Sequence, residues 1–213
     1  MSLLTQVSIS DAFIIFFLTL GPLKAIGPFT QATRGADPAL LRALAWRATA
    51  IATAIAIGVL LFSSVVLEQW RVSTAALVVT ASIILFCQSL QLIMEAPAPA
   101  SIPPQGVDPA PLSLALAYFP VAVPALVTAP GIAAIVAFIA IAGRDWSQTG
   151  IVLGTLLVIM ALNLVTLLNA EAILRRVSPP LLKVVGWVMA VLQAALAVQY
   201  LFNGLVRAGV LPP

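Results

Sequence analysis

Six apolar stretches of bilayer length, two of them interrupted by prolines, leave this chain very little choice of fold. About 20 apolar residues in a helix span the roughly 30 Å of a membrane's hydrocarbon core. The stretches from about Ile9 to Thr33, Leu44 to Leu67, Thr74 to Met94, Leu112 to Ala142, Gly150 to Leu168 and Leu181 to Val206 reach or approach that length. Of the 213 residues, 62% are hydrophobic and 8% charged, against roughly 25% charged in an ordinary soluble domain. No water-soluble core of this size could hide so much apolar surface. The pattern predicts an all-α integral membrane protein with six transmembrane helices.

The prolines say how those helices are organised. Gly21-Pro22 and Gly27-Pro28 cut the first stretch; Pro124 and Pro130-Gly131 cut the fourth, at the same interval, with Pro120 ahead of them. Proline removes a backbone donor and clashes with the preceding turn, at a cost of about 3 kcal/mol in a helix interior. The interval carries no weight by itself, because Pro97, Pro103 and Pro109 share it. Position carries it: only the two intramembrane pairs open a unit of one broken segment followed by two continuous helices. Asp37-Pro38 reads as the N-cap and first turn of the second helix, and Ser178-Pro179-Pro180 marks the start of the last. Between the halves, Glu95 to Pro111 holds Pro97, Pro99, Pro103, Pro104, Gly106, Pro109 and Pro111 and reads as a solvated linker. One membrane domain, 1–213, thus divides into repeat one (1–95), a linker (96–111) and repeat two (112–213). A unit with an odd number of crossings enters its second copy facing the other way, which predicts two inverted three-helix repeats, the first helix of each broken at its proline pair.

Loop charges orient the chain. With the N-terminus outside, cytoplasmic loops hold Arg34, Arg42, Arg47, Arg175, Arg176 and Lys183, and the outer side holds Arg71, Arg144 and Arg207. Basic residues favour the cytoplasmic side, so both termini are expected outside. The region before Asp11 lacks Lys and Arg and no A-x-A site follows the first apolar run, so no cleaved signal is expected.

A broken helix inside a membrane exposes chemistry. Freed N–H groups at a half-helix N-terminus hold a carboxylate, and freed carbonyls hold an ammonium group or a cation. A zwitterion uses both. Unpaired backbone groups at that depth cost several kcal/mol each, so the breaks are expected to face a cavity where the repeats meet. Lys24 lies between the two breaks of the first segment, and charges inside a bilayer are rare, costly and commonly functional. The candidate substrate-binding set is Gly21, Pro22, Lys24, Gly27, Pro28, Pro124, Thr128, Ala129, Pro130 and Gly131. The bland alternatives are that the prolines only kink their helices, or that the first segment is a shallow hairpin whose Lys24 snorkels to an interface.

Other polar residues carry weaker signals. Thr19, Thr30 and Thr128 flank the breaks and read chiefly as repair of freed backbone groups. Gln88, Gln91, Asn163, Asn169, Gln193, Gln199 and Asn203 read as hydrogen bonds between helices. Ala50, Ala54 and Gly58, and likewise Gly150 and Gly154, allow close helix contact within or between protomers. Cys87 reads as a small buried core residue, and Asp11 as an N-cap at the outer interface near the start of the first segment, with a proton site as its alternative. With no histidine, one cysteine and no clustered acids, neither an enzyme nor a metal site or other cofactor is expected, and nothing argues for nucleic acid. A nontransporting structural or assembly protein is the alternative to a transporter.

The stretches Gly21-Pro22-Leu23-Lys24-Ala25-Ile26-Gly27-Pro28-Phe29, Pro120 to Gly131 and Ala197-Val198-Gln199-Tyr200-Leu201-Phe202-Asn203-Gly204 resemble the MarC family, and the likeness covers nearly the whole chain. That family, within the larger group that includes LysE-type exporters, consists of six-helix inner-membrane proteins of bacteria and archaea. The resemblance implies a transporter of small neutral amino acids or similar solutes in a bacterial inner membrane, with H⁺ or Na⁺ as the possible coupling ion. Gly21-Pro22 stands where the family pattern has Asn-Pro, and Ala129-Pro130-Gly131 where it has Gly-Pro-Gly.

Overall fold

The computed structural model describes residues 7–33, 35–94, 114–177 and 179–212. The proline-rich linker between the halves, from 96 to 111, lies outside the described residues, as do Glu95, Arg34 and Ser178. Among the described residues every regular element is helical: α1 (Ile9–Leu20), α2 (Pro22–Ala32), α3 (Pro38–Trp70) and α4 (Thr74–Met94), then a 3-10 turn (Leu114–Ala117) and a π-helical segment (Tyr118–Leu126), and finally α5 (Ala129–Ala142), α6 (Trp146–Leu168), α7 (Ala170–Arg176) and α8 (Pro179–Arg207). Five stretches among the described residues are long and apolar enough to cross a membrane, with α1 and α2 counted as one, and α5 is a shorter apolar helix. A six-helix membrane protein fits that set.

The helix ends follow local chemistry. Asp37 accepts a hydrogen bond from the Ala39 N–H at 2.8 Å, with Pro38 in the first turn, so α3 starts where the Asp-Pro pair predicts. α3 stops at Arg71, in the left-handed conformation at φ 50°. Asp145 caps α6 through Ser147 N at 2.8 Å and Gln148 N at 3.4 Å. Helix α4 spans the residues read from its hydropathy, and α8 begins at Pro179.

The broken segments sit inside and the continuous helices wrap them. In the span from Ile9 to Ala32, 65% of the membrane-length window is buried, against 22% for α3 and 17% for α8. α1 packs on α5 and α6, α2 on the π-helical segment and α6, α3 on α5 and α6, and α4 pairs with α8 along their lengths. Phe16 meets Phe138 edge to face, with ring centroids 5.4 Å apart, joining α1 to α5 at the centre of the core. Gly204 lets α8 lie directly on α4, since a Cβ there would approach Val79 Cγ2 to 2.7 Å.

Several expectations are corrected. The first segment breaks once, at Gly21, and α2 runs through Gly27-Pro28 without interruption. The second breaks at Val127-Thr128, while Pro124 stays within the π-helical segment. The helix-starting prolines are therefore Pro22 and Pro130, the first of one pair and the second of the other. Ala50, Ala54, Gly58, Gly150 and Gly154 face outward, and the close contacts of α3 use Ala45, Ala48, Ala52 and Ala56 on its other face. Cys87 is exposed on α4 rather than buried in the core. The Cys87 reversal has a physical cause, since in a bilayer the outside of a helix is as apolar as its inside and residue type does not mark the face; the outward-facing small residues fit contact between protomers rather than within one.

Candidate functional site

The two breaks meet. Where α1 ends, Pro22 offers no N–H and Gly21 is extended (φ −75°, ψ 166°), so the last carbonyls of α1 lose their helical partners. Thr128, from the other break, donates its hydroxyl to the Thr19 carbonyl at 2.9 Å. Asn163 of α6, fully buried, donates its side-chain N–H to the Leu20 carbonyl at 2.7 Å. Thr128 also accepts from the Gly131 N–H at 3.1 Å, capping α5 with the same oxygen that braces α1. No side chain fits at two of the glycines here: a Cβ on Gly21 would run into the Phe17 carbonyl oxygen, and one on Gly131 into the buried Leu20 side chain.

The start of α2 is built differently. No side chain caps it, and its first turn carries Lys24, a cation placed at the positive end of a helix. Lys24 is half-buried, and its Nζ donates to the Gln88 side-chain oxygen of α4 and the Gln193 side-chain oxygen of α8, each at 3.4 Å. Gln193 in turn donates to Gln88 at 3.1 Å and to the Leu85 carbonyl at 3.3 Å. Among the described residues no carboxylate pairs with Lys24. This corner combines an ammonium group with a helix start that no side chain caps, and the ammonium group's partners among the described residues are neutral amide oxygens.

Of the predicted set, Gly21, Pro22, Thr128, Pro130 and Gly131 come together at the crossing, and Lys24 lies one turn beyond it. Gly27, Pro28, Pro124 and Ala129 are exposed and stand apart. Thr128 performs the repair expected of it. Thr19 and Thr30 bond back to their own helices, at Ile15 O (2.7 Å) and Ile26 O (2.8 Å). Gln88, Asn163 and Gln193 do bond between helices, whereas Asn169 returns to Val165 O at 2.7 Å and Gln91 and Gln199 face outward. Asp11 is not an N-cap: Ser8 holds that position, without a side-chain bond. Asp11 lies instead in the first turn of α1, and Tyr200 of α8 bounds the two small internal cavities beside α1. Tyr200 was absent from the sequence-based set, although it lies inside the Ala197 to Gly204 stretch that carries the family likeness.

A family model described as MarC family integral membrane protein matches residues 6–208. No match was found among curated proteins or among solved structures.

Proposed function

This chain belongs to the MarC family of integral membrane proteins, and from that premise we propose that it carries small neutral amino acids or similar small solutes across a bacterial inner membrane. The observation that supports this reading is Lys24, a half-buried cation in the first turn of an uncapped half-helix, whose partners among the described residues are two amide oxygens at 3.4 Å. A charge in a membrane interior costs about 2.5 to 3.5 kcal/mol on insertion scales, so a site that leaves it without a counter-charge is organised for an anion that comes and goes. The substrate carboxylate takes that place, received by the ammonium group and the leading N–H groups of α2. In this reading the halves are inverted repeats, both termini lie on the outer side, and a proton or Na⁺ gradient drives the cycle.

One observation favours the other reading, a nontransporting structural protein: two internal cavities beside α1, bounded by described residues, measure only about 20 and 10 Å³. That is room for a single water at most. A transporter passes through such a closed state; an assembly protein remains in it. The experiment is uptake of radiolabelled amino acids by proteoliposomes, with and without pH and Na⁺ gradients, for wild type and Lys24→Met. Uptake that is lost in the variant supports transport through this site. Wild-type rates in Lys24→Met remove the site, and no uptake across the panel removes the transporter.

A further inference from the structure

Asn163 lies on the buried face of α6, the face of Leu156, Ile159, Met160 and Leu167, and is 0% exposed. Only half of its carboxamide is in use. The side-chain nitrogen donates to the Leu20 carbonyl at 2.7 Å and lies 4.0 Å from the Met160 sulfur. A carbonyl can only accept, so the nitrogen must be the atom that faces Leu20 and the oxygen is the other one. That oxygen, Oδ1, has no hydrogen-bond partner among the described residues. Leaving a buried acceptor unmade costs more than a bond at the surface gains, and native interiors avoid it. Bracing α1 needs only a donor, and a hydroxyl suffices for that at Thr128. A carboxamide brings an oxygen that the brace does not use. This oxygen stands at the negative end of α1, whose last turn holds no basic residue. The two heteroatoms of a carboxamide are about 2.2 Å apart, which places Oδ1 within about 5 Å of the Leu20 carbonyl oxygen. The Thr19 and Leu20 carbonyls each accept one side-chain donor and keep a second lone pair. The Lys24 ammonium group, four residues on, turns to Gln88 and Gln193 instead.

We propose that Asn163 Oδ1, with the Thr19 and Leu20 carbonyls, forms a seat for positive charge at the end of α1, taken by the ammonium group of the substrate or by Na⁺. Both are received by the same chemistry, neutral oxygens at the negative end of a half-helix. The inference rests on the transport reading above and supplies the cationic pole of a site whose anionic pole is Lys24. Scale agrees with it. Leu20 and Pro22 are two residues apart, at most ~7 Å, and an α-amino acid holds its two charges within about 3 Å. A zwitterion across Gly21 therefore meets the negative end of one half-helix and the positive end of the other. A cation on Oδ1 leaves the bond from the amide nitrogen to Leu20 intact and polarises the amide, so filling the seat tightens the brace. Access to it needs the crossing to open, as alternating access already requires.

The test uses purified wild type, Asn163→Leu and Asn163→Asp in detergent, each first shown to be monodisperse. Two probes separate the sources of the charge. Melting temperature in NaCl against choline chloride reports Na⁺, since an ion bound to the folded state raises it with concentration. Displacement of labelled alanine by unlabelled alanine or by propionate, which is alanine without its amino group, reports the ammonium group. Asn163→Leu is expected to lose the cation signal of the wild type: the rise with Na⁺ disappears, or alanine binds about tenfold more weakly while propionate is unchanged. Asn163→Asp sets a carboxylate in the seat and is expected to bind the same cation about tenfold more tightly, with propionate no tighter. A bracing role predicts the opposite, because a carboxylate cannot donate to Leu20. Where Asn163→Leu does not fold, Asn163→Asp carries the test. Unchanged or weaker cation binding in Asn163→Asp overturns the seat, as does equal weakening of alanine and propionate in Asn163→Leu. Wild-type behaviour of both variants, with alanine binding lost in Lys24→Met, overturns the seat and leaves the Lys24 site standing. A wild type that responds to Na⁺ and binds no alanine keeps the seat for the ion and counts against the amino acid as substrate. A wild type with neither signal overturns the seat.

Discussion

The two broken segments differ in what each leaves unfinished. At the second, Thr128 caps α5 and the break carries no charge. At the first, α2 starts without a side-chain cap and holds a cation in its first turn. The second break also supplies the hydroxyl that completes the end of α1. A self-capped break that braces its neighbour is a structural part, whereas the proposed function makes the uncapped positive end the binding part. Two segments that match in their prolines have thus divided one task between them.

The largest test of that division is Lys24→Met. Uptake should fall about 100-fold or more, the scale of a charge pair of roughly 3 kcal/mol, with the melting temperature in detergent little changed. A variant that melts much lower would make Lys24 a structural residue like Thr128 and erase the contrast. Next comes Gly131→Val, which forces a side chain against buried Leu20; overpacking of this kind costs about 1 to 3 kcal/mol and should appear as a lower melting temperature. Thr128→Val removes the cap and the brace together and should cost about 1 kcal/mol, with substrate affinity preserved where the protein remains folded. A large loss of affinity in this variant would make the second break a binding part too. The smallest effect belongs to Gly27→Ala: nothing lies within 4 Å of the added Cβ, and alanine gains roughly 0.5 to 1 kcal/mol over glycine in a helix. Unchanged uptake there separates the glycine that is merely part of the motif from Gly21, which the break requires.

Much of the architecture is legible in the chain because helix ends depend on local chemistry. Pro38 after Asp37, Pro179 at the head of α8 and the limits of α4 are where capping and apolar length place them. Lys24 stands out for the same reason, since a charge among apolar neighbours needs no tertiary information to be noticed. Sidedness is different. Cys87 points outward because lipid accepts it as readily as the core does, and the Ala50, Ala54, Gly58 row faces outward too. Pro28 fails to break α2 because a proline can stay in a helix when neighbours and context absorb the lost bond. The Thr128–Thr19 bond joins two breaks 109 residues apart, and no local pattern encodes such a meeting.

The brace between the breaks also sets a condition on how this protein is made. Thr19 and Leu20 leave the ribosome with their carbonyls unanswered, and their partners Thr128 and Asn163 follow 109 and 143 residues later. At about 5 to 20 residues per second, the nascent first half spends roughly 5 to 30 s with a torn helix and nothing to close it. Until then the insertion machinery or its water must keep that end satisfied, so the first half produced alone is a natural target for the cell's quality-control proteases.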